Sequence, residues 1–469
     1  MFKINIGDNM EKIISLTGNT GGEYPQSYGV KIEYKLPEGF LLGVASAADQ
    51  IEGGDVDSNW NDWFKKGKIK DGSDPAHSTD HWNRWKEDAD LMKELGIKVT
   101  RIGLEWPRIE PREGEFDEAV IDRYREEIAY LKSLGIEPLV TIHHFGCPMW
   151  FEEKGGFLVD ANLDLFLDYG KYVVERLSDF VSEWITINEP NVYALNGYFG
   201  GGFPPGRNDR KECLKVLSNM AYCHVVLYQA IHIQREEKGY TDTKVSFANH
   251  MRVFEPEDTK NPIHRMYCNI VKKHFQTTVT KAMLTGEYTW PLKNTHKVQR
   301  GEFADFIGVN YYSRSMISSM EDGTRKDKCP RNDLGWEIYP EGIVKVAKEA
   351  HDILPRPIWI TENGTCDNMG VFRNRFIAEH LEQIAKSDLP FERYYHWCFC
   401  DNFEWLEGMS AKFGLVKVDP ETMERTPKAA FDFYKALIEK HGVDKEIYDM
   451  YLKNQHYRVR EPGSYDWQR

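Results

Sequence analysis

Apolar residues along this chain fall into two alternating patterns. Short continuous runs, such as Phe306-Ile307-Gly308-Val309 and Pro357-Ile358-Trp359-Ile360, suit parallel strands covered on both faces. Between the runs, apolar residues recur at spacings of three and four, the period of a half-buried helix. The stretch after Asp117 is the clearest: Val120, Ile121, Tyr124, Ile128, Leu131 and Leu134 share one face, and Asp117 stands where a side chain can cap the first turn. Leu91-Met92-Lys93-Glu94-Leu95-Gly96-Ile97-Lys98 and Tyr130-Leu131-Lys132-Ser133-Leu134-Gly135-Ile136-Glu137 repeat one theme, a helix stopped at glycine and followed by an apolar run. Glycine suits the stop because it accepts the left-handed conformation that closes a helix.

Followed to the end, the alternation predicts strands over 40–47, 98–106, 137–145, 181–188, 244–250, 305–312, 357–362 and 393–400. Helices are predicted between them, over 81–95, 163–178, 213–238, 341–352, 372–386 and 427–440 among others. Eight strands alternating with helices make an α/β fold, a single (β/α)8 TIM barrel, with its active site at the C-terminal ends of the strands. A doubly wound open sheet is the competing architecture. It calls for a glycine-rich turn after the first strand, and no G-x-G-x-x-G stands there. Residues 36–469 are assigned to the barrel with a C-terminal tail, and 1–35 to an N-terminal extension of unknown role, whether tail, rim loop or contact in a homo-oligomer.

Composition narrows the partners. Of 469 residues, 60 are Lys or Arg and 74 are Asp or Glu, a net charge of −14. That balance argues against a grip on nucleic acid, which rests on cations neutralising phosphates, and against anionic membrane surfaces. The longest uncharged stretch, Pro190 to Gly206, is full of Gly and Pro, so no membrane span is expected. The eight cysteines contain no C-x-x-C pair and read as reduced, buried thiols. With a polar N-terminus, they point to the cytoplasm. No H-E-x-x-H and no phosphate loop ending in Gly-Lys-Ser/Thr occurs, so neither a metal nor a cofactor is expected.

A barrel should gather its chemistry at the strand ends, and polar residues do collect there. The ends carry Glu105-Trp106, His143-His144, Asn188-Glu189-Pro190, Asn310-Tyr311-Tyr312, Thr361-Glu362-Asn363-Gly364 and Asp401-Asn402-Phe403-Glu404-Trp405. Glu189 and Glu362 each end an apolar strand, where an unpartnered carboxylate would be costly. A single such Glu is most simply a salt-bridged strand end. Two at one barrel mouth match the carboxyl pair of a glycosidase, spaced about 5–5.5 Å for retention and about 6.5–9.5 Å for inversion. Trp150, Trp336, Trp397, Trp405 and Tyr312 offer flat faces for a sugar ring, although core packing explains any one of them alone. Gln50, His144, Asn188 and Glu404 supply donors and acceptors for hydroxyl groups.

These motifs carry a resemblance. Phe40-Leu41-Leu42-Gly43-Val44-Ala45-Ser46 with Gln50-Ile51-Glu52-Gly53, Trp106-Pro107-Arg108-Ile109, Thr186-Ile187-Asn188-Glu189-Pro190, Ile307-Gly308-Val309-Asn310-Tyr311-Tyr312, Ile360-Thr361-Glu362-Asn363-Gly364 and Asp401-Asn402-Phe403-Glu404-Trp405 occur in that order. From about residue 36 to about 441 the chain resembles glycoside hydrolase family 1, the β-glucosidase family. The resemblance implies a retaining β-glycosidase acting on a small-molecule β-glycoside, with glucosides first and galactosides or fucosides as further candidates. Glu362 would then be the nucleophile and Glu189 the acid/base, protonated near neutral pH to assist departure. Asn188 would bind the sugar 2-hydroxyl, Arg101 and Tyr312 would hold Glu362 ionised, and Asn310 joins the catalytic set. Gln50, His144, Glu404 and Trp405 would read the remaining hydroxyls. Trp397 would floor the sugar, and Trp336 would carry the leaving group.

The chain also departs from the family pattern. Asp49 replaces the usual Tyr before Gln50. Phe145-Gly146-Cys147-Pro148 stands where many members have Trp-Asp-Leu-Pro, and Cys398-Phe399-Cys400 interrupts the eighth strand. A branch that cleaves 6-phosphoglycosides has a small residue in place of Glu404 and adds a Lys and a Tyr downstream. Here those downstream positions hold Ala411 and Phe413, and a carboxylate at the phosphate position repels that substrate. A transglycosylase using the same covalent intermediate, a 6-phospho-β-glucosidase and a non-catalytic sugar-binding module are the competing functions. The last would predict loss of a catalytic carboxylate, and both are present. Rim segments 52–78, 198–210 and 313–335 are expected to set the choice of leaving group.

Overall fold

The computed structural model describes residues 31–320, 323 and 328–460. Residues 1–30, most of the expected N-terminal extension, lie outside the described residues. Eight parallel strands form a closed barrel: β1 (Leu41–Ala45), β2 (Val99–Gly103), β3 (Glu137–His143), β4 (Glu183–Asn188), β5 (Lys244–Pro256), β6 (Ile307–Ile317), β7 (Ile358–Asn363) and β8 (Phe391–Trp397). Each pairs with its neighbours in sequence, and β8 closes on β1. Every residue of β2, β4 and β7 is buried, which is why these strands read as unbroken apolar runs.

Helices fill the outer layer, among them α1 (His81–Leu95), α2 (Glu118–Ser133), α3 (Leu163–Leu177), α4 (Pro190–Tyr198), α5 (Arg210–Glu237), α6 (Pro262–Lys272), α7 (Gly342–His351), α8 (Arg373–Ala385) and α9 (Ala429–Lys440). The local signals act as their chemistry requires. The Asp117 carboxylate accepts from the backbone N–H of Ala119 and Val120 at the start of α2. Gly96 closes α1 at φ 87°, and Gly135 follows α2 at φ 76°. At the other end of the barrel, Tyr34–Lys35 pairs antiparallel with Gly442–Val443, so the start of the described chain is latched to its closing segment.

The largest differences from expectation fall in three regions. β8 ends at Trp397, so Cys398 and Cys400 lie past the strand; both are buried, and all eight cysteines are unbridged. β5 and β6 run on as a paired ribbon, Val253–Pro256 against Arg314–Ile317. Charged Arg252, Glu255 and Arg314 break the apolar pattern there, and Arg314 is compensated by Glu337 and Glu255. The ribbon and α6 enclose a small core of Phe254, Cys268 and Ile317, separate from the main one. Finally, the Gly- and Pro-rich stretch after Glu189 opens with α4, because Pro190 occupies the first helical position, where its missing N–H costs nothing. Among the described residues no helix is long and apolar enough to cross a membrane.

Pairing slips register at the strand ends that carry the polar motifs, between Ile185 and Asn188 in β4, between Val309 and Asn310 in β6 and between Tyr394 and His396 in β8. Such irregularities re-aim side chains, here those of Asn188, Asn310 and the residues facing them across the barrel mouth.

Candidate active site

A cleft of about 540 Å³ opens at the C-terminal mouth of the barrel, within the range of small-ligand sites. Of the residues singled out from sequence, His144, Glu189, Tyr312, Trp336, Glu362, Trp397, Glu404 and Trp405 line it. Arg101, Asn188, Asn310 and Gln50, all completely buried, stand one layer behind. Trp150 does not join them. It packs edge-on against Trp106 and donates its indole N–H to the Glu110 carbonyl, because the short helix Met149–Glu153 turns it toward the helix layer. Of the two histidines ending β3, only His144 faces the cleft; His143 faces the opposite way, with Nε2 3.4 Å from Cys147 Sγ.

Glu362, the penultimate residue of β7, is clamped on both oxygens. Arg101 Nη1 donates to Oε1 at 2.5 Å and the Tyr312 hydroxyl donates to Oε2 at 2.6 Å. Burial pushes Glu362 up to about 7; Arg101 opposes that, and repulsion from Glu189 reinforces it. Tyr312 is itself driven well above its ordinary value, by burial and then by Glu362, so it stays a hydrogen-bond donor. Arg101 also donates from Nη2 to Asn188 Oδ1 at 2.7 Å. One guanidinium thereby orders two strand ends.

Glu189 sits between the last residue of β4 and the proline that opens α4, at φ 43° and ψ 57°. Its backbone N–H reaches the Ala248 carbonyl at 2.7 Å. Two groups approach the same carboxyl oxygen: Asn310 Nδ2 donates to Oε1 at 2.8 Å, and His250 Nδ1 lies 3.1 Å from it. Asn310 is oriented in turn by Thr361, whose hydroxyl donates to its Oδ1 at 2.6 Å. Asn188 uses both acceptor sites of Oδ1, for Arg101 and for Asn310 at 3.0 Å, and gives one amide hydrogen to His144 Nε2 at 2.9 Å. One N–H of Asn188 is left for a ligand.

The far wall is aromatic. Trp405 packs on Trp60 at 4.7 Å and on Phe145 at 5.0 Å. Trp397 donates its indole N–H to Glu404 Oε2 at 3.3 Å, and Gln50 Nε2 reaches the same oxygen at 3.3 Å and the Phe403 carbonyl at 2.7 Å. Burial raises Glu404 to about 8; its hydrogen bonds with Trp397 and Gln50 resist, while Glu362 and Glu189 add repulsion. Trp336 projects from a turn in which Asn332 Oδ1 accepts the backbone N–H of Leu334 and Trp336. Phe145, Glu189 and Trp405 all hold positive φ, at 70°, 43° and 50°. Such strained backbone is found where surrounding structure fixes a functional side chain.

A family model described as glycosyl hydrolase family 1 matches residues 32–443. The chain belongs to this family. It is 31% identical to Beta-glucosidase A of Thermotoga maritima over 446 residues, 87% of this chain and 99% of that protein. It is 28% identical to a Beta-galactosidase of Pyrococcus woesei, spanning 89% of this chain and all of that one. The solved beta-glycosidase from Pyrococcus horikoshii matches with a TM-score of 0.81 at 32% identity, over 90% of this chain and 98% of the other. As a family 1 glycosyl hydrolase, the chain is an enzyme that acts on small-molecule glycosides.

Within family 1, two departures of this chain prove to be one. A Cβ added at Gly146 would lie 1.8 Å from Asp49 Oδ2. The Asp49 carboxyl therefore fills the space that a side chain at 146 would occupy. Burial pushes Asp49 up to about 7, and it shares a hydrogen bond with Glu105, whose carboxyl burial and Asp49 drive well upward. The segment 52–78 sends no residue into the cleft; it acts through Trp60, behind Trp405. Phe203 and the turn Leu334–Trp336 do reach it. The Asn363-Gly364-Thr365 sequon is closed to modification in the fold, because Asn363 is fully buried and donates to the Tyr311 carbonyl.

Sequence reasoning missed His250, Arg252 and Phe275, which line the cleft together with Trp336. His250 and Arg252 lie where β5 outlasts its apolar run, and no motif marks them.

Proposed function

We propose that this enzyme is a retaining β-glycosidase that removes terminal β-D-glucosyl residues, and that β-D-galactosyl and fucosyl residues are the further candidates, by double displacement. Relatives named β-glucosidase and β-galactosidase support the sugar class. The observation that carries the mechanism is the Arg101–Glu362–Tyr312 clamp in a cleft that also holds Glu189. Both oxygens of Glu362 are already engaged by donors, which favours an aimed anion. Glu362 attacks the anomeric carbon while Glu189 gives its proton to the departing oxygen. Glu189, then ionised, takes a proton from the water that hydrolyses the glycosyl ester. The remaining N–H of Asn188 serves the sugar 2-hydroxyl, a contact that strengthens as positive charge develops on the ring. Trp397 and Trp405 face the ring, and Gln50, His144 and Glu404 surround its other hydroxyls.

Two further observations bear on scope. Ala411 and Phe413 are buried, Phe413 packs toward Trp336 at 6.1 Å, and Glu404 lines the cleft. This arrangement supports unphosphorylated substrates. The eight unbridged, buried thiols suit a reducing compartment such as the cytoplasm.

The test compares the wild type with Glu362→Gly on 4-nitrophenyl β-glucoside at neutral pH. The variant is expected to lose activity by about 10⁴-fold or more, and azide is expected to restore turnover as an α-glycosyl azide. Folded wild type without glycosidase activity, or Glu362→Gly with undiminished activity, would overturn the assignment.

A further inference from the structure

Both polar contacts to Glu189 fall on one oxygen. Asn310 Nδ2 and His250 Nδ1 approach Oε1, at 2.8 and 3.1 Å, and no hydrogen bond among the described residues engages Oε2. The Asn310 amide is a donor here, because its Oδ1 accepts from Thr361. With its ring hydrogen on Nδ1, His250 gives the same oxygen a second N–H at 3.1 Å, whereas the opposite tautomer would accept a proton from it. His250 is held to deliver that N–H. Its carbonyl accepts from Asn191 Nδ2 at 2.7 Å on α4, the helix that begins beside Glu189. Its ring stacks on Tyr312 at 5.6 Å and 20°, and meets Phe275 edge-on at 5.7 Å. Across β5 and β6 it is the registered neighbour of Asn310.

We propose that His250 is a positioning residue for the acid/base: its N–H, with that of Asn310, makes Oε1 the accepting oxygen of Glu189 and keeps the transferable proton on Oε2. This deepens the proposed function and rests on Glu189 being the acid. A carboxylic acid free to rotate can carry its proton on either oxygen, and only one of them faces the departing atom. Two donors on Oε1 remove that ambiguity before substrate arrives, a form of preorganisation. The benefit is confined to leaving groups that need a proton. A leaving group that departs as a stable anion gains nothing from it.

The experiment measures kcat/KM, which reports the glycosylation step, on 2,4-dinitrophenyl β-glucoside and on n-octyl β-glucoside. His250→Leu removes the donor. His250→Asn keeps an N–H close to the position of Nδ1. His250→Leu is expected to lose about tenfold or more on the octyl glucoside, within the range of acid catalysis, and to stay within about twofold of wild type on the dinitrophenyl glucoside. His250→Asn should recover most of the loss. His250→Gln carries its donor one bond farther out, is expected to behave like Leu, and replaces it should His250→Leu not fold. Equal losses on both substrates, or an octyl rate unchanged from wild type, would overturn the proposal. Glu189→Gln separates the two levels. It must show the same selectivity more strongly, and if it does not, the acid assignment fails rather than the role of His250.

Discussion

Two of the groups of buried carboxyls in this barrel are pushed in opposite directions by their surroundings. In the cleft, burial raises Glu362 to about 7 and Glu404 to about 8; Arg101, Tyr312, Trp397 and Gln50 offset only part of that, and repulsion between the carboxyls adds to it. In the helix layer, Asp88 of α1 takes His81 at 2.7 Å and both arms of Arg425 at 2.9 and 3.0 Å. Glu127 of α2 takes His81 at 3.0 Å and pairs with Arg123. Burial works against these charges too, but the partners win. Glu127 falls to about 2, Asp88 is lowered, and His81 rises to about 10 against its own burial. Burial alone therefore says little about a carboxyl. The helix-layer network is complete without a ligand, whereas the cleft leaves acceptors crowded together for hydroxyl groups to engage, as sites under functional load do.

The largest expected effect lies in the network. Asp88→Asn leaves Arg425 buried without its counter-charge and His81 with Glu127 alone, and is expected to cost about 3–5 kcal/mol in urea unfolding, with kcat of the folded protein little changed. A loss below about 1 kcal/mol would mean that the network is no more compensated than the cleft. Next comes the Asp49–Gly146 contact. Gly146→Asp places a second carboxyl on Asp49 and is expected to cost about 1–3 kcal/mol by overpacking. Asp49→Ala combined with Gly146→Asp should return most of it, and a double variant no better than the single would show that the two positions do not share one space.

The smallest effect is a slope. Glu404 has a higher proton affinity folded than unfolded, about 8 against an ordinary 4.5. Its contribution is complete below the unfolded value and is lost as pH rises through the folded one. Glu362 tilts stability the same way. Asp88 and Glu127 lose their contribution only as pH falls below about 4.5, and the His81 contribution declines only above about 6.5. From pH 5 to 6.5 the network is level, while Glu404 and Glu362 tilt stability downward. Across that window Glu404→Gln should remove a stability loss of less than about 2 kcal/mol relative to wild type, read as Tm against pH. An unchanged slope in the variant would place the tilt elsewhere.

Much of this molecule is legible in its sequence, for identifiable reasons. Most barrel strands are buried on both faces, β2, β4 and β7 throughout, so apolar runs mark them. The carboxyls and their partners stand at strand ends in short motifs that few other arrangements would produce. What escaped reading has no local mark. Trp150 lies near a strand end, but a single helical turn decides where its ring goes. His250 follows a strand that continues through charged residues because a separate small core supports it. The Asp49–Gly146 relation joins two strand ends distant in the chain, and either residue alone looks like a defect.

That relation also bears on how such a protein can change over time. A carboxyl supplied from position 146 and one supplied from position 49 are alternative ways of filling one space, and no single substitution converts one into the other. A lineage that acquires the second carboxyl first must seat a side chain at 146 whose Cβ falls 1.8 Å from Asp49 Oδ2, an overpacked state. A lineage that first loses the side chain at 146 passes through a small void, which costs far less and is open to repair. The order of events is therefore one-way, glycine before aspartate, and chains carrying Gly146 without Asp49 are the intermediates that such a history leaves behind.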